Sequence, residues 1–271
     1  MNEDTVRGAA KLLADAWRDM TTIDALPPAL RPHTFEEAYA IQDEMAALIG
    51  QPAAGWKIGP ASPGLMRAEG FDEPAAGRVF EPNIYRSPAE LPHGRITNAK
   101  LECEFALRIG ADVAPRDQAY TAEELAPLAV LCPALEVSGC RFATPGAVVT
   151  TGWARTSDMP SPLDRLADNG GAGALVVGDE IPRWQDLSLE SLPVVLRIDG
   201  GPPVANFEGD CRSDPLEVLV WLANFVSRRG IGLRAGDLVA TGSATHAQPL
   251  HAGASAVAEF PELGELRLTI I

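Results

Sequence analysis

The sequence predicts an α+β fold: a mixed, mostly antiparallel β-roll or barrel-like core with peripheral helices and a smaller N-terminal helical region. Three observations predict it. Helical periodicity comes first along the chain, strand-like segments dominate the later part, and only a few helices are interspersed among those strands. A doubly wound parallel sheet would instead need strands and helices to alternate.

The elements follow in order. Val6, Ala9, Ala10, Leu13, Ala16, Trp17 and Met20 recur at helical spacing and define an opening amphipathic helix. Thr34 and Glu37 fit a capping box, and Ala38, Ile41, Met45, Leu48 and Ile49 follow on one helical face. From Leu101 to Ile109 apolar residues alternate with Glu102, Glu104, Ala106 and Arg108, which is the period of a strand. A second capping box, Thr121 with Glu124, opens a short helix, and residues 133–138 form a short strand that is apolar except for Glu136. Residues 143–162, rich in Gly, Pro, Thr and Ser, predict a loop or lid. Residues 194–199, ended by Gly200 and Gly201, predict one arm of a hairpin. Asp214 and Pro215 place a cap and a first-turn proline ahead of Leu216, Leu219, Val220, Ala223 and Val226, and Arg228, Arg229 and Gly230 close that helix. Segments 238–241, 254–260 and 266–271 are further strands.

At 271 residues the chain can bury a sizeable core, and 46% hydrophobic with 22% charged residues is ordinary for a soluble globular protein. The net charge of −15 argues against nucleic acid and anionic membranes as partners, and an anionic substrate would need a bound metal or a placed Lys or Arg. No apolar run is long enough to span a membrane, the first residues lack the order of a signal peptide, and a cytoplasmic location is expected. Cys103, Cys132, Cys140 and Cys211 form neither a C-x-x-C unit nor a disulfide framework, and Cys103 on an apolar strand face reads as a reduced core thiol.

The residues that could carry chemistry each allow two readings. Glu102 and Glu104 share one strand face; they are either solvated acids or oxygen ligands for a hard divalent cation. Glu136 either reaches water from a strand edge or needs a partner, because an ionised carboxylate is costly to bury alone. Lys57, in the apolar, glycine-flanked Gly55-Trp56-Lys57-Ile58-Gly59 segment, is either a solvated loop residue or a cation held against a reacting oxygen. Thr241-Gly242-Ser243 is a simple turn or a place where small residues admit a ligand. There is no G-x-S-x-G elbow, P-loop or Rossmann fingerprint, and His33, His93, His246 and His251 lack metal-ligand spacing. His246 stands out only for following the Thr241-Gly242-Ser243 turn.

Six segments in order resemble the 2-keto-4-pentenoate hydratase and 4-oxalocrotonate decarboxylase family, which shares its fold with the C-terminal domain of fumarylacetoacetate hydrolases. They are Gly55-Trp56-Lys57-Ile58-Gly59, the Glu102-x-Glu104 strand, Pro133-Ala134-Leu135-Glu136-Val137, Asp168-Asn169, the helix over 214–230, and the stretch 236–243. The resemblance runs nearly the length of the chain and is weakest at 142–162. It implies a mixed β-roll with a smaller N-terminal region, divided here as 1–60 and 61–271, and a homo-oligomer. It implies Mg²⁺ or Mn²⁺ held by Glu102, Glu104 and Glu136, and chelation of a 2-oxo acid whose dienolate the cation stabilises. Lys57 matches the family's active-site lysine, and Thr241, Gly242, Ser243 and Asn169 match positions that contact substrate.

Two departures bear on the activity. Hydratases of the family usually carry Pro-Asp-x-Gly, where this chain reads Pro74-Ala75-Ala76-Gly77, so Ala75 stands in place of the aspartate. Adding water needs a group to orient or deprotonate it; decarboxylation needs only an electron sink. Glu69, Asp72 and Glu73 are nearby acids, none at the matching position. Gly170-Gly171 replaces the serine that relatives commonly show after Asp-Asn. The leading expectation is hydration of an unsaturated 2-oxo acid such as 2-hydroxypenta-2,4-dienoate. Decarboxylation of a 2-oxo-enedioate, C–C hydrolysis of an acylpyruvate, and a non-catalytic partner subunit are the alternatives.

Overall fold

The computed structural model describes residues 1–143 and 160–271, so the central residues of the expected lid, 144–159, lie outside the described part. Two helices open the chain, α1 (Glu3–Asp19) and α2 (Phe35–Ile49). Then come β1 (Ala53–Ile58), α3 (Pro63–Glu69), β2 (Ala76–Phe80), β3 (Ile84–Arg86), β4 (Ala89–Leu91) and β5 (Lys100–Ile109). The short α4 (Ala122–Leu125), β6 (Ala129–Ser138), α5 (Pro162–Ala167), β7 (Ala174–Val177) and β8 (Val195–Ile198) follow. The chain ends with α6 (Pro215–Arg228), β9 (Leu238–Ser243), β10 (Gln248–Pro249), β11 (Ser255–Phe260) and β12 (Gly264–Ile270).

The strands form two sheets. The larger runs β2-β1-β9-β5-β6-β7-β3, with β10 also paired to β5; the smaller runs β4-β12-β11-β8. Most neighbours are antiparallel, while β1–β9, β3–β7 and β4–β12 are parallel, which gives the mixed, mostly antiparallel core that the sequence predicts. β1 precedes residue 61 yet is an interior strand of the large sheet, between β2 and β9.

Local chemistry explains the helix ends. Asn2 accepts from Thr5 N to start α1, and Asp214 accepts from Leu216 N and Glu217 N to start α6, with Pro215 in the first turn. Thr121 and Glu124 make the reciprocal box expected of them. The Thr34 box forms only by half. Thr34 accepts from Glu37 N, but the Glu37 carboxylate takes His33 N and the N-terminal ammonium instead of Thr34 N. The hairpin expected after 194–199 also resolves differently: β8 pairs with β11, while Val204 N returns to Leu196 O and the Asn206 amide bonds the Val194 N–H and carbonyl.

β5 departs most from its pattern. Strict alternation suggests one wet face, yet β5 lies between β9 and β6 and is buried on both sides. Its apolar face meets the smaller sheet, where the Phe105 ring stands 5.8 Å from that of Phe260. That second sheet keeps a clean period of two, with Ala256, Ala258, Phe260, Leu266, Leu268 and Ile270 inward and Glu259, Glu265, Arg267 and Thr269 outward. Burying a side chain such as Leu107 or Ile109 stabilises the fold by about 1.5–3 kcal/mol. The opposite face of β5, carrying the two glutamates, turns into the concave side of the large sheet.

Candidate active site

Strand register brings the distant residues together. Glu102 on β5 lies directly opposite Glu136 on β6, and Glu104 lies opposite Ala134. Ala106 pairs with Ala240 of β9, and Ala240 pairs with Lys57 of β1. Residues that pair directly share a sheet face, so Lys57, Glu102, Glu104 and Glu136 all project from one side. Ala106, Ala134 and Ala240 on that same side leave room for the four long side chains. All four are buried, Lys57 at 8% exposure and the glutamates at 5%, 1% and 3% in chain order. The solvated readings of Glu102, Glu104, Glu136 and Lys57 are therefore excluded by burial.

Opposed like charges out of water are unfavourable, and the acid strengths record it. Burial, and next the Glu136 charge, raise Glu102 to about 7 against the pull of Lys57 and Ser243. Burial together with the charges of Glu136 and Glu102 holds Glu104 well above the usual carboxylate range. Burial pushes the Lys57 ammonium down, but Glu136, Glu102, Glu104 and Glu69 outweigh it and hold Lys57 above its ordinary value. Lys57 Nζ lies 3.6 Å from Glu136 Oε1, an ion pair too long for a hydrogen bond, so that buried oxygen has no hydrogen-bond partner among the described residues.

A bulge in β9 serves two of the acids. Ala106 pairs with Ala240 but Glu104 pairs with Ser243, so β9 inserts one extra residue around Thr241 and Gly242. Gly242 takes φ 109°, and a Cβ there would stand 2.8 Å from Ser213 Oγ and 2.9 Å from the Ala61 Cβ. The bulge aims Gly242 N at Glu104 Oε2, 3.0 Å away, and Ser243 Oγ at Glu102 Oε2. Ser138 Oγ donates to the other Glu102 oxygen at 3.2 Å. Thr241 Oγ1 donates to Phe105 O at 2.5 Å, so its hydroxyl is engaged by β5.

Among the described residues, no three His, Cys, Asp or Glu side chains already converge as a finished coordination sphere. Among the described residues three carboxylates face one ammonium, and Glu136 Oε1 accepts no hydrogen bond, which leaves the cluster able to take up a cation. An all-oxygen donor set of this kind fits a hard divalent ion.

Asn169 stands at the edge of the cluster with its amide fully engaged. Its Oδ1 accepts from Arg78 N at 2.8 Å and its Nδ2 donates to Arg78 O at 2.8 Å, which fastens β2 to the turn after α5. Beside it, the Asp168 carboxylate is buried against Arg141. His246 stacks on Phe207, ring centroids 4.2 Å apart, outside the acidic cluster.

Several residues of the surroundings carried no sequence signal. Tyr39 Oη accepts from Ala76 N, and Gln42 Nε2 donates to Ala76 O and Leu166 O, so α2 holds the strand next to Lys57. Ser62 Oγ, just before α3, is buried with no hydrogen-bond partner among the described residues. Only proximity in the fold identifies these residues. A cavity of about 460 Å³ bounded by Trp56, Arg78, Val113 and Arg234 lies elsewhere, and none of the four charged residues lines it.

Residues 79–271 match the family of the fumarylacetoacetate (FAA) hydrolase C-terminal domain. The chain is 31% identical over 241 residues to a 2-keto-4-pentenoate hydratase of Paraburkholderia xenovorans, covering 87% of this chain and 83% of that one. It is 27% identical over 251 residues to the TodF product hydratase of Pseudomonas putida, covering 92% and 88%. Among solved structures, 4-oxalocrotonate decarboxylase from Pseudomonas putida G7, complexed with magnesium and adipate, superposes with a TM-score of 0.84 at 20% identity, covering 100% of this chain and 99% of that one.

Proposed function

The chain belongs to the fumarylacetoacetate hydrolase C-terminal domain family, and on that premise we propose that it is a divalent-metal-dependent hydratase of an unsaturated 2-oxo acid such as 2-hydroxypenta-2,4-dienoate. One observation carries the reading: three glutamates from two neighbouring strands are buried together, and among the described residues Lys57 is the cation paired with them. Glu102, Glu104 and Glu136 would hold Mg²⁺ or Mn²⁺, as the magnesium in the related decarboxylase structure suggests. When bound, the ion would polarise the 2-oxo group and offset the negative charge that develops on it.

The chain's own groups do the rest. Ser243 and Gly242 hold two of the carboxylates through hydrogen bonds, which must loosen or re-aim for those oxygens to turn toward a cation. Lys57 stays protonated in its acidic surroundings and presents an ammonium to an oxygen that gains charge, or passes a proton to it. The small alanines flank the four charged side chains, and burial away from water makes these charges act strongly on one another. The substrate is a small molecule; a homo-oligomer in the cytoplasm is part of the same proposal.

A test follows the loss of the dienoate ultraviolet absorbance with and without Mg²⁺. Metal-dependent loss that Glu104→Gln abolishes is expected; full activity in that variant overturns the ligand assignment. The second reading is decarboxylation of a 2-oxo-enedioate, favoured by Ala75 and by the fold of the decarboxylase relative. Metal-dependent release of CO₂ from such a substrate, without hydration of the dienoate, would select it.

A further inference from the structure

A lysine carries its charge on a flexible four-carbon stem, so a site that uses one must fix where the ammonium rests. Glu136 Oε1, at 3.6 Å, is too distant to hold the Lys57 ammonium by a hydrogen bond. The closer neighbour is the residue just past β1. A Cβ added to Gly59 would stand 3.0 Å from Lys57 Nζ. Apart from chain neighbours, no other heavy atom of a described residue comes within 4 Å of that point. The ammonium thus lies over the side of Gly59 where any other residue would carry its side chain. Gly59 is itself anchored: its N–H donates to Ala75 O at 2.9 Å, and Ile58 before it pairs with Ala76 of β2. Two residues on, the Ala61 Cβ is 2.9 Å from a Cβ built on Gly242, whose N–H holds Glu104. The stretch after β1 therefore borders the cluster both at its ammonium and at its acids.

We infer that Gly59 is a positioning residue of this site: its missing side chain leaves the seat in which the Lys57 ammonium rests beside Glu136. The inference rests on the reading above, in which Lys57 meets the substrate. Neither of the ordinary reasons for a glycine applies at this position. Gly59 does not take a positive φ, so its backbone makes no demand that only glycine can meet. Packing makes none either, because an added methyl would press on the ammonium and on no other group of the described residues. What glycine supplies is room for one charged group. A methyl at 3.0 Å is tighter than ordinary van der Waals contact, and Nζ is the free end of a flexible chain. The ammonium would therefore shift by a few tenths of an ångström and the fold would stay as it is. A charge aimed at an oxygen that gains charge loses much of its effect when it is displaced.

The test is a double-mutant cycle on wild type, Gly59→Ala, Lys57→Ala and the double variant, with Mg²⁺ and 2-hydroxypenta-2,4-dienoate. Gly59→Ala should lower kcat about tenfold, the scale of a sub-ångström misplacement of a reacting group. KM, Mg²⁺ affinity by calorimetry and the urea unfolding midpoint should stay nearly unchanged. In the Lys57→Ala background the same substitution should change the residual rate by less than about twofold, since a residue acting only through the ammonium has nothing left to act on. Crystal structures of wild type and Gly59→Ala give a readout free of turnover: Nζ should move while the three carboxylates and the backbone stay. An unmoved Nζ, an unchanged kcat or an equal loss in the Lys57→Ala background overturns the inference. So does a loss that follows Mg²⁺ affinity or the unfolding midpoint. A wild type inactive on the dienoate that releases CO₂ from a 2-oxo-enedioate overturns the hydratase reading alone, and the same cycle on CO₂ release then decides the inference. A wild type inactive on both substrates overturns the reading of Lys57 and the inference with it.

Discussion

Two buried charge groups in this chain are built on opposite principles. In the first, Arg141 and Asp168 are both nearly inaccessible and nearly complete in their bonding. Arg141 Nε donates to Asp168 Oδ1 at 2.5 Å, its backbone N–H to Asp168 Oδ2 at 2.8 Å, Nη1 to Ala172 O, and Nη2 to Asp168 O. In the second, Glu102, Glu104, Glu136 and Lys57 are as deeply buried, but among the described residues three acids share one cation and one carboxylate oxygen has no hydrogen-bond partner. A satisfied buried pair holds a fold together. An unsatisfied one holds an affinity in reserve for something that arrives later.

The comparison can be broken in four places. The largest effect is expected at the satisfied pair: Asp168→Ala strands the Arg141 guanidinium and should cost about 3–5 kcal/mol in urea unfolding. A loss under about 1 kcal/mol would mean that the pair is dispensable. Next comes pH. Glu102 titrates near 7 in the fold against an ordinary 4.5, so the folded state binds the extra proton between those values. Stability of the metal-free chain should therefore fall as pH rises from about 4.5 to about 7, by about 3 kcal/mol in total. A flat profile in EDTA over that window would contradict the crowding of the acids.

Smaller and opposite in sign is Glu104→Gln. At alkaline pH, where Glu104 is ionised, removing its charge from the crowded cluster should raise metal-free stability by about 1–2 kcal/mol, while calorimetry records a large loss of Mg²⁺ affinity. Destabilisation in that variant would show that Glu104 belongs to the structural class after all. The smallest effect is at Tyr39→Phe, which leaves the buried Ala76 N–H unpaired and should cost about 1 kcal/mol in the same unfolding assay. An unchanged unfolding midpoint there would mean that β2 is fixed by its strand pairs alone.

Much of the architecture was legible because its signals are local. Thr121 and Asp214 cap helices through groups within three residues of one another, and β5, β9, β11 and β12 show strand periods in short windows. The Glu37 carboxylate went elsewhere because the N-terminal ammonium and His33 N compete for it, and neither is visible from a four-residue motif. The acidic cluster itself was not legible from spacing, since Lys57 and Glu136 meet only through β9 and β5. It came from the resemblance of six ordered segments. Alternation in β5 pointed to two faces but not to two buried ones, because a strand lining a polar chamber and a strand facing water have the same pattern.

The extra residue in β9 has a further consequence. Neighbouring positions of one short kink, Gly242 and Ser243, each grip a different acid of β5. Neither acid can be retuned alone from this side: a substitution that straightened the kink would release both at once. Drift at these two positions is thereby tied together, and a lineage altering one would be expected to compensate at the other.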